Sequence, residues 1–562
     1  MVFFGMILEI LSLGSILPLL MYLTNPDSLN SIPLIKNLMK NDSVLVDYSV
    51  IIIGILCIFS LKTIFLTLIS YFQSKICAEI TADMGTQLYE GYLHQRYIYH
   101  LENNSSNMIR NIVTESSFIL QLTTQATSII TEIILMFGLV VLLLIIQPLI
   151  TTMILVFFAV LFLILNMKLL KLFRKWGSIR QLNEGDRIKQ LQQGIDAIKD
   201  IKMQGSEEKM VDQFNLSHYS IAGVNTIWTF TRNLPKIYIE YLIVIIGIAV
   251  IFFLVTEGTP FIDLVPSLGI FAVTGFKLLP SFNRLVTGIS NLNVNLPVVT
   301  MLEKEFKTFK DSDAHVHESL KPLKGLKIED SISLQNISFT YDNTIKKFLT
   351  NVNMSIHRNE TTALIGASGS GKSTIIDILM GLLEASKGNI LTGQTEIDPT
   401  SKNWKKYISY VPQYVSLLDD TIRNNITFGD QNETIDENKL NKALEFTDLN
   451  SMLEKLPNGL ETFIGEKGMR ISGGQKQRIA LSRALYRDFE ILILDESTSA
   501  LDYDSEEIII KNIKNNFKNK IILVVSHRMS CLKYCDKVYD LNNGILSEVV
   551  DKKKLLEIMQ KK

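Results

Sequence analysis

The sequence predicts two unlike parts in one chain: a helical membrane domain of six spanning helices, followed by an α/β domain built around a phosphate-binding loop. Two observations lead to this fold class. Residues 1–300 carry long apolar runs, whereas residues 310–562 have the mixed composition of an ordinary α/β domain. Within the second part, a glycine-rich loop lies between an apolar strand and a helix. The 562 residues are enough for both domains.

The overall composition hides this division. Apolar residues make up 47% of the chain and charged residues 20%, and the mean hydropathy of +0.22 is high for a soluble protein. The net charge of −1 gives no reason to propose a nucleic-acid partner. The cysteines form neither a CxxC pair nor a Cys/His cluster with zinc spacing, and we interpret them as reduced thiols. They are Cys57, Cys77, Cys531 and Cys535.

Six apolar segments are long enough to cross the membrane, whose hydrocarbon core of about 30 Å takes about 20 helical residues. They lie at roughly 2–23, 47–71, 124–147, 150–170, 237–256 and 262–285. The first is interpreted as a spanning helix rather than a signal peptide, because it lacks a basic start and contains Glu9. The sequence leaves open whether a cytosolic lead-in precedes it. The sixth is interrupted by Pro266, Lys277 and Pro280.

The links between these segments predict their orientation. The links after the first, third and fifth spans are short, whereas those after the second and fourth are each longer than 50 residues. Lys and Arg crowd the second long link, and the positive-inside rule places such loops in the cytosol. Periodicity in the long links indicates that spans two to five continue as helices beyond the bilayer. We therefore expect a multi-pass protein of the cytoplasmic (inner) membrane with the α/β domain in the cytosol.

Ionisable residues within the spans are candidates for a polar cavity, because buried charges are costly in a membrane. The candidates are Glu9, Lys62, Glu132, Glu240, Lys277 and Arg284. Several lie near span ends, where side chains reach the interface by snorkelling. Glu9 and Lys62 fall at similar depth, on the order of 10–13 Å from the cytosolic face when counted at ~1.5 Å per residue. We predict that these two pair or share a cavity.

The glycine-rich loop fits the phosphate-binding pattern G-x-x-x-x-G-K-[ST] in full. Its glycines let backbone N–H groups turn toward phosphate oxygens, the lysine reaches the β- and γ-phosphates, and Ser373 offers a hydroxyl to Mg²⁺. The helix that follows adds its positive N-terminal end. The residues predicted to bind the phosphates of ATP are Gly366, Ser368, Gly369, Ser370, Gly371, Lys372, Ser373 and Thr374.

The segment ILILDEST, residues 491–498, predicts a second half of the same site. Four apolar residues form a buried strand that ends in two acids. Asp495 is placed to bind Mg²⁺, directly or through water, and Glu496 to orient or deprotonate the attacking water. ATP and Mg²⁺ are therefore the expected cofactors of an ATPase domain.

Residues 471–478, ISGGQKQR, followed by the helical IALSRAL, resemble the signature sequence of ATP-binding cassette (ABC) transporters. A Ser-Gly-Gly turn at a helix N-terminus is a second anion-binding device. The residues assigned to it are Ser472, Gly473, Gly474 and Gln475. The family usually has Leu at the first position, so Ile471 is a mild departure that leaves the phosphate contact intact.

The resemblance implies roles for four further residues that occur in the family's order. Tyr341 fits the aromatic residue that stacks on adenine. Gln413 in YVPQ fits the residue that senses Mg²⁺ and the γ-phosphate and is a candidate metal ligand. Asp502, in the loop SALD, fits the segment that crosses the dimer interface, and His527 in VVSHR fits the switch histidine.

The order of the two parts resembles exporter-type half-transporters of this family, which fuse six spans to an ATPase domain. We expect a membrane domain over 1–305, a linker over 306–330 and the ATPase domain over 331–562. One chain has one phosphate-binding loop and one signature, so the resemblance implies a second half-transporter as partner. A homodimer is the simplest inference, and a heterodimer remains open. Cytosolic loops near 95–108 and 205–215 are expected to carry motion to the spans.

The substrate is the least specified expectation. Segments near LEILSLGSILPLL and FKLLPSFNRL resemble bacterial flippases of lipid-linked oligosaccharides, and residues 27–42 fit a short external helix of that subgroup. This resemblance implies ATP-driven export or flipping of an amphipathic, preferably lipid-linked, substrate in contact with membrane lipids. The alternatives are a peptide, bacteriocin or multidrug exporter and an ABC-type channel or regulator. The six spans argue against a soluble ABC ATPase of DNA repair or translation.

Overall fold

The computed structural model describes the chain with short gaps, and it divides into two compact units. The described residues are 2–16, 44–146, 148–256, 261–318, 328–341, 348–430, 435–498 and 500–552. The first unit comprises Met1–Gln95 and His100–Asp311, and the second comprises Arg96–Tyr99 and Ser312–Lys562.

The first unit is helical. Its helices are α1 (Val2–Gly14), α2 (Val44–His94), α3 (Tyr97–Glu102, whose first residues belong to the second unit), α4 (Ser105–Ile109), α5 (Ser116–Ile146), α6 (Pro148–Asp196), α7 (Ile198–Gln204), α8 (Glu207–Thr256) and α9 (Phe261–Glu318), with a π-helical turn at Arg110–Glu115 before α5. Each predicted span lies on one of these helices as far as the structure describes it. Residues 17–23 of the first span, the turn at Gln147 and the segment 27–42 lie outside the described residues.

Several helices are much longer than a membrane crossing requires. Helix α2 has 51 residues and α8 has 50, against about 20 for the hydrocarbon core. Three segments within the described residues are long and apolar enough to span a membrane: Ile52–His94, Ser105–Ile145 and Leu278–Asp311. The total of six spans therefore stays a prediction. Helix α9 runs through Pro266 and Pro280 and ends at Glu318, so part of the predicted linker is helical.

Glycines allow close packing within the first unit. A Cβ on Gly138 of α5 would lie 2.6 Å from Met6 of α1, and one on Gly177 of α6 would lie 1.9 Å from the carbonyl oxygen of Val294 of α9. Both distances are shorter than a van der Waals contact. Small residues at such positions let helix backbones approach each other, as is common in membrane bundles.

The predicted pairing of Glu9 and Lys62 is confirmed. Lys62 Nζ lies 2.8 Å from Glu9 Oε2, and both side chains are almost completely buried. Lys62 also donates to Ser12 Oγ at 3.1 Å. The sequence did not predict a second ion pair, between Arg284 and Glu132. The Glu132 side chain is buried, whereas half of the Arg284 side chain is exposed.

The second unit contains two sheets. Strands β1 (Ser331–Phe339), β2 (Leu349–His357), β4 (Lys387–Thr392) and β5 (Thr395–Ile397) form an antiparallel sheet in the order β2-β1-β4-β5. Strands β3 (Thr361–Ile365), β6 (Ile408–Val411), β7 (Ile491–Asp495), β8 (Ile521–Val525), β9 (Lys537–Asn542) and β10 (Ile545–Glu548) form the other, in the order β10-β9-β3-β8-β7-β6. In the second sheet β9, β3, β8, β7 and β6 are parallel.

Helices surround the parallel sheet. They are α10 (Lys372–Leu379), α11 (Lys402–Lys406), α12 (Ile422–Ile426), α13 (Glu437–Phe446), α14 (Asn450–Leu453), α15 (Gly473–Tyr486), α16 (Tyr503–Asn516) and α17 (Met529–Leu532). Every residue of β3, β7 and β8 is buried, as expected where helices cover both faces of a parallel sheet. Because parallel strands end at one edge, the loops that follow them come together there, where α/β folds bind ligands.

The Glu9–Lys62 pair leads to a charge-exchange prediction. We expect Glu9→Lys and Lys62→Glu each to destabilise the protein by about 3–5 kcal/mol, because each leaves two like charges buried. The double variant restores an attractive pair, so it is expected to regain most of the lost thermal stability in detergent. Thermal unfolding of the four proteins measures this.

The matched control exchanges Lys75 and Glu79, an ion pair on the same helix with a separation of 3.8 Å and more than half of each side chain exposed. Exposed pairs contribute only about 0–1 kcal/mol, so all its variants should unfold close to the wild-type temperature. A Glu9/Lys62 double variant no more stable than the single variants would contradict the role of the pair.

Candidate phosphate-binding and ATPase site

The phosphate-binding loop follows β3 and takes backbone conformations that glycine favours. Gly366, Gly369 and Gly371 have φ values of 147°, 77° and 111°. A Cβ on Gly366 would lie 2.3 Å from the carbonyl oxygen of Leu541, so no larger residue fits there without a shift. Gly371 is the N-cap of α10, which places the predicted phosphate-binding residues around the start of that helix.

Polar groups inside this loop fit a bound phosphate chain. The buried Lys372 donates from Nζ to the carbonyl oxygens of Gly366 and Ala367 at 2.8 and 3.0 Å. The Ser370 hydroxyl is buried and has no hydrogen-bond partner among the residues that the structure describes. Ser368 and Ser373 are exposed. A cation, an unsatisfied hydroxyl and accessible hydroxyls around a glycine loop match the donors that a triphosphate requires.

Gln413, Glu496 and His527 come together beside this loop. Gln413 follows β6 and donates from Nε2 to Glu496 Oε2 at 2.6 Å. His527 follows β8, and its Nε2 lies 3.6 Å from Glu496 Oε1. The Glu496 backbone N–H donates to the Val525 carbonyl at 2.9 Å. Residues separated by as many as 114 positions thus converge on one carboxylate, because β6, β7 and β8 are adjacent and parallel.

Two further carboxyl groups make this edge electrostatically unfavourable without a cation. Burial, followed by the charge of Glu496, raises the pKa of Asp495, whereas Tyr410 and Lys372 lower it. Burial and then the charge of Asp495 raise the pKa of Asp377 on α10 from 3.8 to about 6. A divalent cation at this edge would relieve the repulsion, so the residues present fit Mg²⁺.

Sequence reasoning missed Asp377 and Tyr410. The Tyr410 hydroxyl donates to Asp495 Oδ2 at 3.3 Å, and burial raises the pKa of the tyrosine further above its usual value. Asp377 is the single acid in an otherwise apolar stretch of α10, four residues after Ser373, and this isolation was the available signal. Among the described residues no cluster of three or more His, Cys, Asp or Glu side chains forms a separate metal site.

Tyr341 lies at the end of β1, close to the start of α10. Its hydroxyl is 3.4 Å from Thr374 Oγ1, and its ring makes edge contacts with Phe339 and Phe348. The side chain is half-buried, so part of its surface stays accessible. The structure therefore brings this aromatic residue next to the phosphate-binding loop.

The signature residues begin helix α15. Ser472 is its N-cap and forms a capping box with Gln475. Ser472 and Gly473 are exposed, and Gly474 lies against the Ala500 carbonyl. Within the described part of the chain, no hydrogen bond or ion pair joins these residues to the phosphate-binding loop. The helix start is therefore formed and accessible.

Asp502 caps the next helix of this region. Its carboxylate accepts from the Ser505 N–H at 3.1 Å at the start of α16. The Ala500 N–H donates to Gln477 Oε1 of α15 at 2.9 Å. The loop before Asp502 is thus held against the signature helix, while the Asp502 side chain stays exposed.

Two protein-family models match the chain. Residues 4–257 match the ABC transporter transmembrane region, and residues 349–499 match the ABC transporter domain. The first range lies in the helical unit. The second contains the phosphate-binding loop, the signature residues, Asp495 and Glu496.

Similar proteins agree with these matches. The chain is 28% identical over 514 residues (88% of this chain, 82% of the relative) to the ATP-dependent lipid A-core flippase of Shewanella frigidimarina. It is 29% identical over 492 residues (87% and 83%) to the protein of that name from Pseudoalteromonas translucida. It is 36% identical over 263 residues (46% and 44%) to a putative export ATP-binding/permease protein of Rickettsia prowazekii.

A solved structure shares the fold over nearly the whole chain. A bacterial Atm1-family ABC exporter with ATP bound superposes with a TM-score of 0.78 at 20% identity, covering 99% of this chain and 95% of the other. This likeness confirms the predicted fold class, a helical ABC membrane domain joined to an ABC ATPase domain. The chain belongs to the ABC transporter family: it is a multi-pass inner-membrane protein whose fused, cytosolic ATPase domain binds ATP and couples its hydrolysis to transport.

Proposed function

We propose that two copies of this chain form a translocase that flips or exports an amphipathic, lipid-linked substrate. The observation that carries the ATP-driven part of the proposal is the convergence of Gln413 and His527 on the carboxylate of Glu496. A carboxylate held between two polar side chains beside a phosphate-binding loop is suited to orient and activate a water molecule.

The catalytic roles follow from these positions. Glu496 orients the attacking water or accepts its proton, and His527 contacts the γ-phosphate. Ser373, Gln413 and Asp495 would hold Mg²⁺, which neutralises the charge that develops on the phosphates. Lys372 and the loop N–H groups bind the β- and γ-phosphates. Tyr341 stacks on adenine from its place beside Thr374.

The exposed signature supports a dimer. Residues 472–475 present a helix N-terminus to solvent rather than to the phosphate-binding loop of the same chain, and a helix start is an anion site. We assign these residues to the γ-phosphate of ATP held by the partner, with Asp502 at the interface. A homodimer then has two complete sites.

The segment Arg96–Tyr99 is proposed to carry motion to the spans. It follows α2 directly, yet it belongs to the second unit. There Arg96 pairs with Glu384 at 3.1 Å, and Ile98 packs against the core around β1 and β2. A second candidate is the turn at Gly205, which has a φ of 61° and precedes α8.

The substrate class is supported by the names of the relatives. Two relatives that the chain matches over more than four fifths of their length are lipid A-core flippases. Lipid A-core and a lipid-linked oligosaccharide belong to the same broad class of amphipathic lipids with a polar saccharide part, although their apolar parts differ. We keep the lipid-linked oligosaccharide as the preferred substrate and lipid A-core as the second candidate.

Replacing Glu496 tests the catalytic assignment. We expect Glu496→Gln to lower kcat for ATP hydrolysis by about 100-fold or more, since a positioned general base contributes on that order. ATP binding should persist, because the phosphate-binding loop is intact. Lys372→Ala provides the contrast: it should lose ATP binding as well. Hydrolysis by Glu496→Gln near the wild-type rate would contradict the assignment.

Mixed dimers test whether the signature acts on the partner's ATP. One chain carries Lys372→Ala and the other Gly473→Asp, each with its own affinity tag, so that only mixed dimers are purified. Gly473 is exposed and an added Cβ would meet only Ala500 Cβ at 3.4 Å, so the fold should tolerate aspartate. We expect each variant homodimer to be inactive and the mixed dimer to regain about half of the ATPase activity, because one site is intact.

The control places both substitutions on one chain and pairs it with the wild-type chain. Every site in that dimer then has one defect, so we expect no activity. If this control is active while the first mixed dimer is inactive, the signature acts within its own chain and the dimer proposal is wrong.

Substrate stimulation tests the cargo. In proteoliposomes, we expect a lipid-linked oligosaccharide to raise ATPase activity at least about twofold, because a substrate that binds one conformation better shifts the transport cycle. The same ATPase measurement with lipid A-core, a peptide or a hydrophobic drug tests the alternative substrates. Stimulation by the peptide or the drug alone would overturn the lipid assignment, and hydrolysis without net transport would favour a channel or regulator.

A further inference from the structure

A carboxylate without accessible surface lies in the first turns of α16. Glu506 is 0% exposed and follows the Asp502 cap by four residues. Burying a charged carboxylate costs several kcal/mol unless hydrogen-bond donors surround it. Leucine or methionine would fill the same volume without that cost. The presence of glutamate at this position is therefore explained by the hydrogen-bond donors around it.

The donors come from two separate segments. Thr498 Oγ1 donates to Glu506 Oε1 at 2.5 Å, and the Cys531 thiol donates to the same oxygen at 3.1 Å. The Ser530 hydroxyl donates to Oε2. Thr498 follows strand β7, whereas Ser530 and Cys531 follow strand β8. One buried side chain therefore joins the loops that follow two neighbouring strands.

Arg528 forms further bonds between the same two segments. Its Nη1 lies 3.4 Å from Glu506 Oε2 and donates to the carbonyl oxygens of Thr498 and Leu501 at 3.3 and 3.0 Å. The guanidinium thus bonds to the loop after β7, although it belongs to the loop after β8. A charge-assisted pair of this kind fixes geometry more strongly than neutral hydrogen bonds do.

These bonds begin beside the two groups that meet at the ATPase site. Thr498 is two residues beyond Glu496, and Arg528 directly follows His527. The separation of 3.6 Å between Glu496 and His527 depends on how the two loops are placed relative to each other. Strand pairing ends at Asp495 and Val525, and one further backbone bond, from the Glu496 N–H to the Val525 carbonyl, ties the start of the first loop to β8. Beyond that bond, Glu506 and Arg528 contribute side-chain bonds that join the two loops.

We propose that Glu506 is a positioning residue that sets the geometry between Glu496 and His527. This inference rests on the proposed function of those two residues. Glu506 itself is fully buried. It acts through Thr498, Ser530 and Arg528, and its loss lets the two loops shift by a fraction of an ångström while both strands stay paired.

The test replaces Glu506 by glutamine and compares it with the same change at the next position. Glu507 lies on the same helix, but its carboxylate pairs with Lys533 and Tyr534, which come after α17, and among the described residues it makes no hydrogen bond to the loop after β7. Because misplacement of reacting groups by ~1 Å can cost about 100-fold, we expect Glu506→Gln to lower kcat about tenfold. KM for ATP and ATP binding should change less than about twofold, because the phosphate-binding loop is unaffected. Glu507→Gln should keep both constants.

A second variant guards against a loss of folding. Thr498→Val removes one donor at nearly constant volume, while the Cys531 thiol still donates to the same oxygen. We expect this variant to lower kcat severalfold while the protein stays folded at the assay temperature. If the hydroxyl acts through Glu506, the double variant is no slower than Glu506→Gln alone. Three results would overturn the proposal. They are a double variant whose loss of kcat is the product of the two single losses, an effect on KM alone, and an unchanged kcat in both single variants.

The Glu496→Gln chain separates this result from the catalytic assignment. If Glu496→Gln abolishes hydrolysis and Glu506→Gln leaves kcat unchanged, the positioning role alone is wrong. If Glu496→Gln retains hydrolysis, the catalytic assignment on which the positioning role rests is wrong.

Discussion

The parallel register of β3, β8, β7 and β6 is the constraint on which the ATPase unit depends. In this register Asp495 lies opposite Val525, and the loops that follow the strands open at the same edge. A slip of one residue would move each loop by about 3.3 Å and turn alternate side chains to the other face. The contacts of Glu496 with Gln413 and His527 could not survive that shift. The fully buried, aliphatic strands exclude it, because a slipped strand would lose its packing on both faces.

Buried ion pairs add a second structural constraint in the helical unit. Glu9 and Lys62 join α1 to α2, and Glu115 and Arg180 join the π-helical turn to α6 at 3.3 Å. Each pair links residues more than 50 positions apart. Desolvation offsets most of the attraction in such pairs, so their main contribution is to penalise alternative packings that would separate them. In the second unit, the buried Glu506 pairs with the partly exposed Arg528 and links loops rather than helices.

The local motifs were predictable because each consists of consecutive residues whose chemistry can be recognised from the sequence. The glycine-rich loop, the two acids after β7 and the capped signature helix each need only a short pattern, and the structure forms all three. Glu9 and Lys62 were predictable because span geometry sets their depth. Asp377, Tyr410 and the Arg284–Glu132 pair were not, since they depend on which elements pack together. The sequence also predicts a linker from residue 306, whereas α9 continues to Glu318. No glycine or proline near residue 305 interrupts the helix.

The backbone at Glu496 has a consequence for how this protein evolves. Its φ of 44° lies in the left-handed region, which costs a residue with a side chain roughly 1 kcal/mol and costs glycine almost nothing. A mutation to glycine would thus relieve strain and remove the carboxylate in one step. Folding stability therefore does not favour glutamate over glycine at this position, and under the proposed catalytic role it is selection on the ATPase reaction that retains the carboxylate. A gene copy released from that selection would be free to lose the carboxylate early, while its product still folded and entered the membrane.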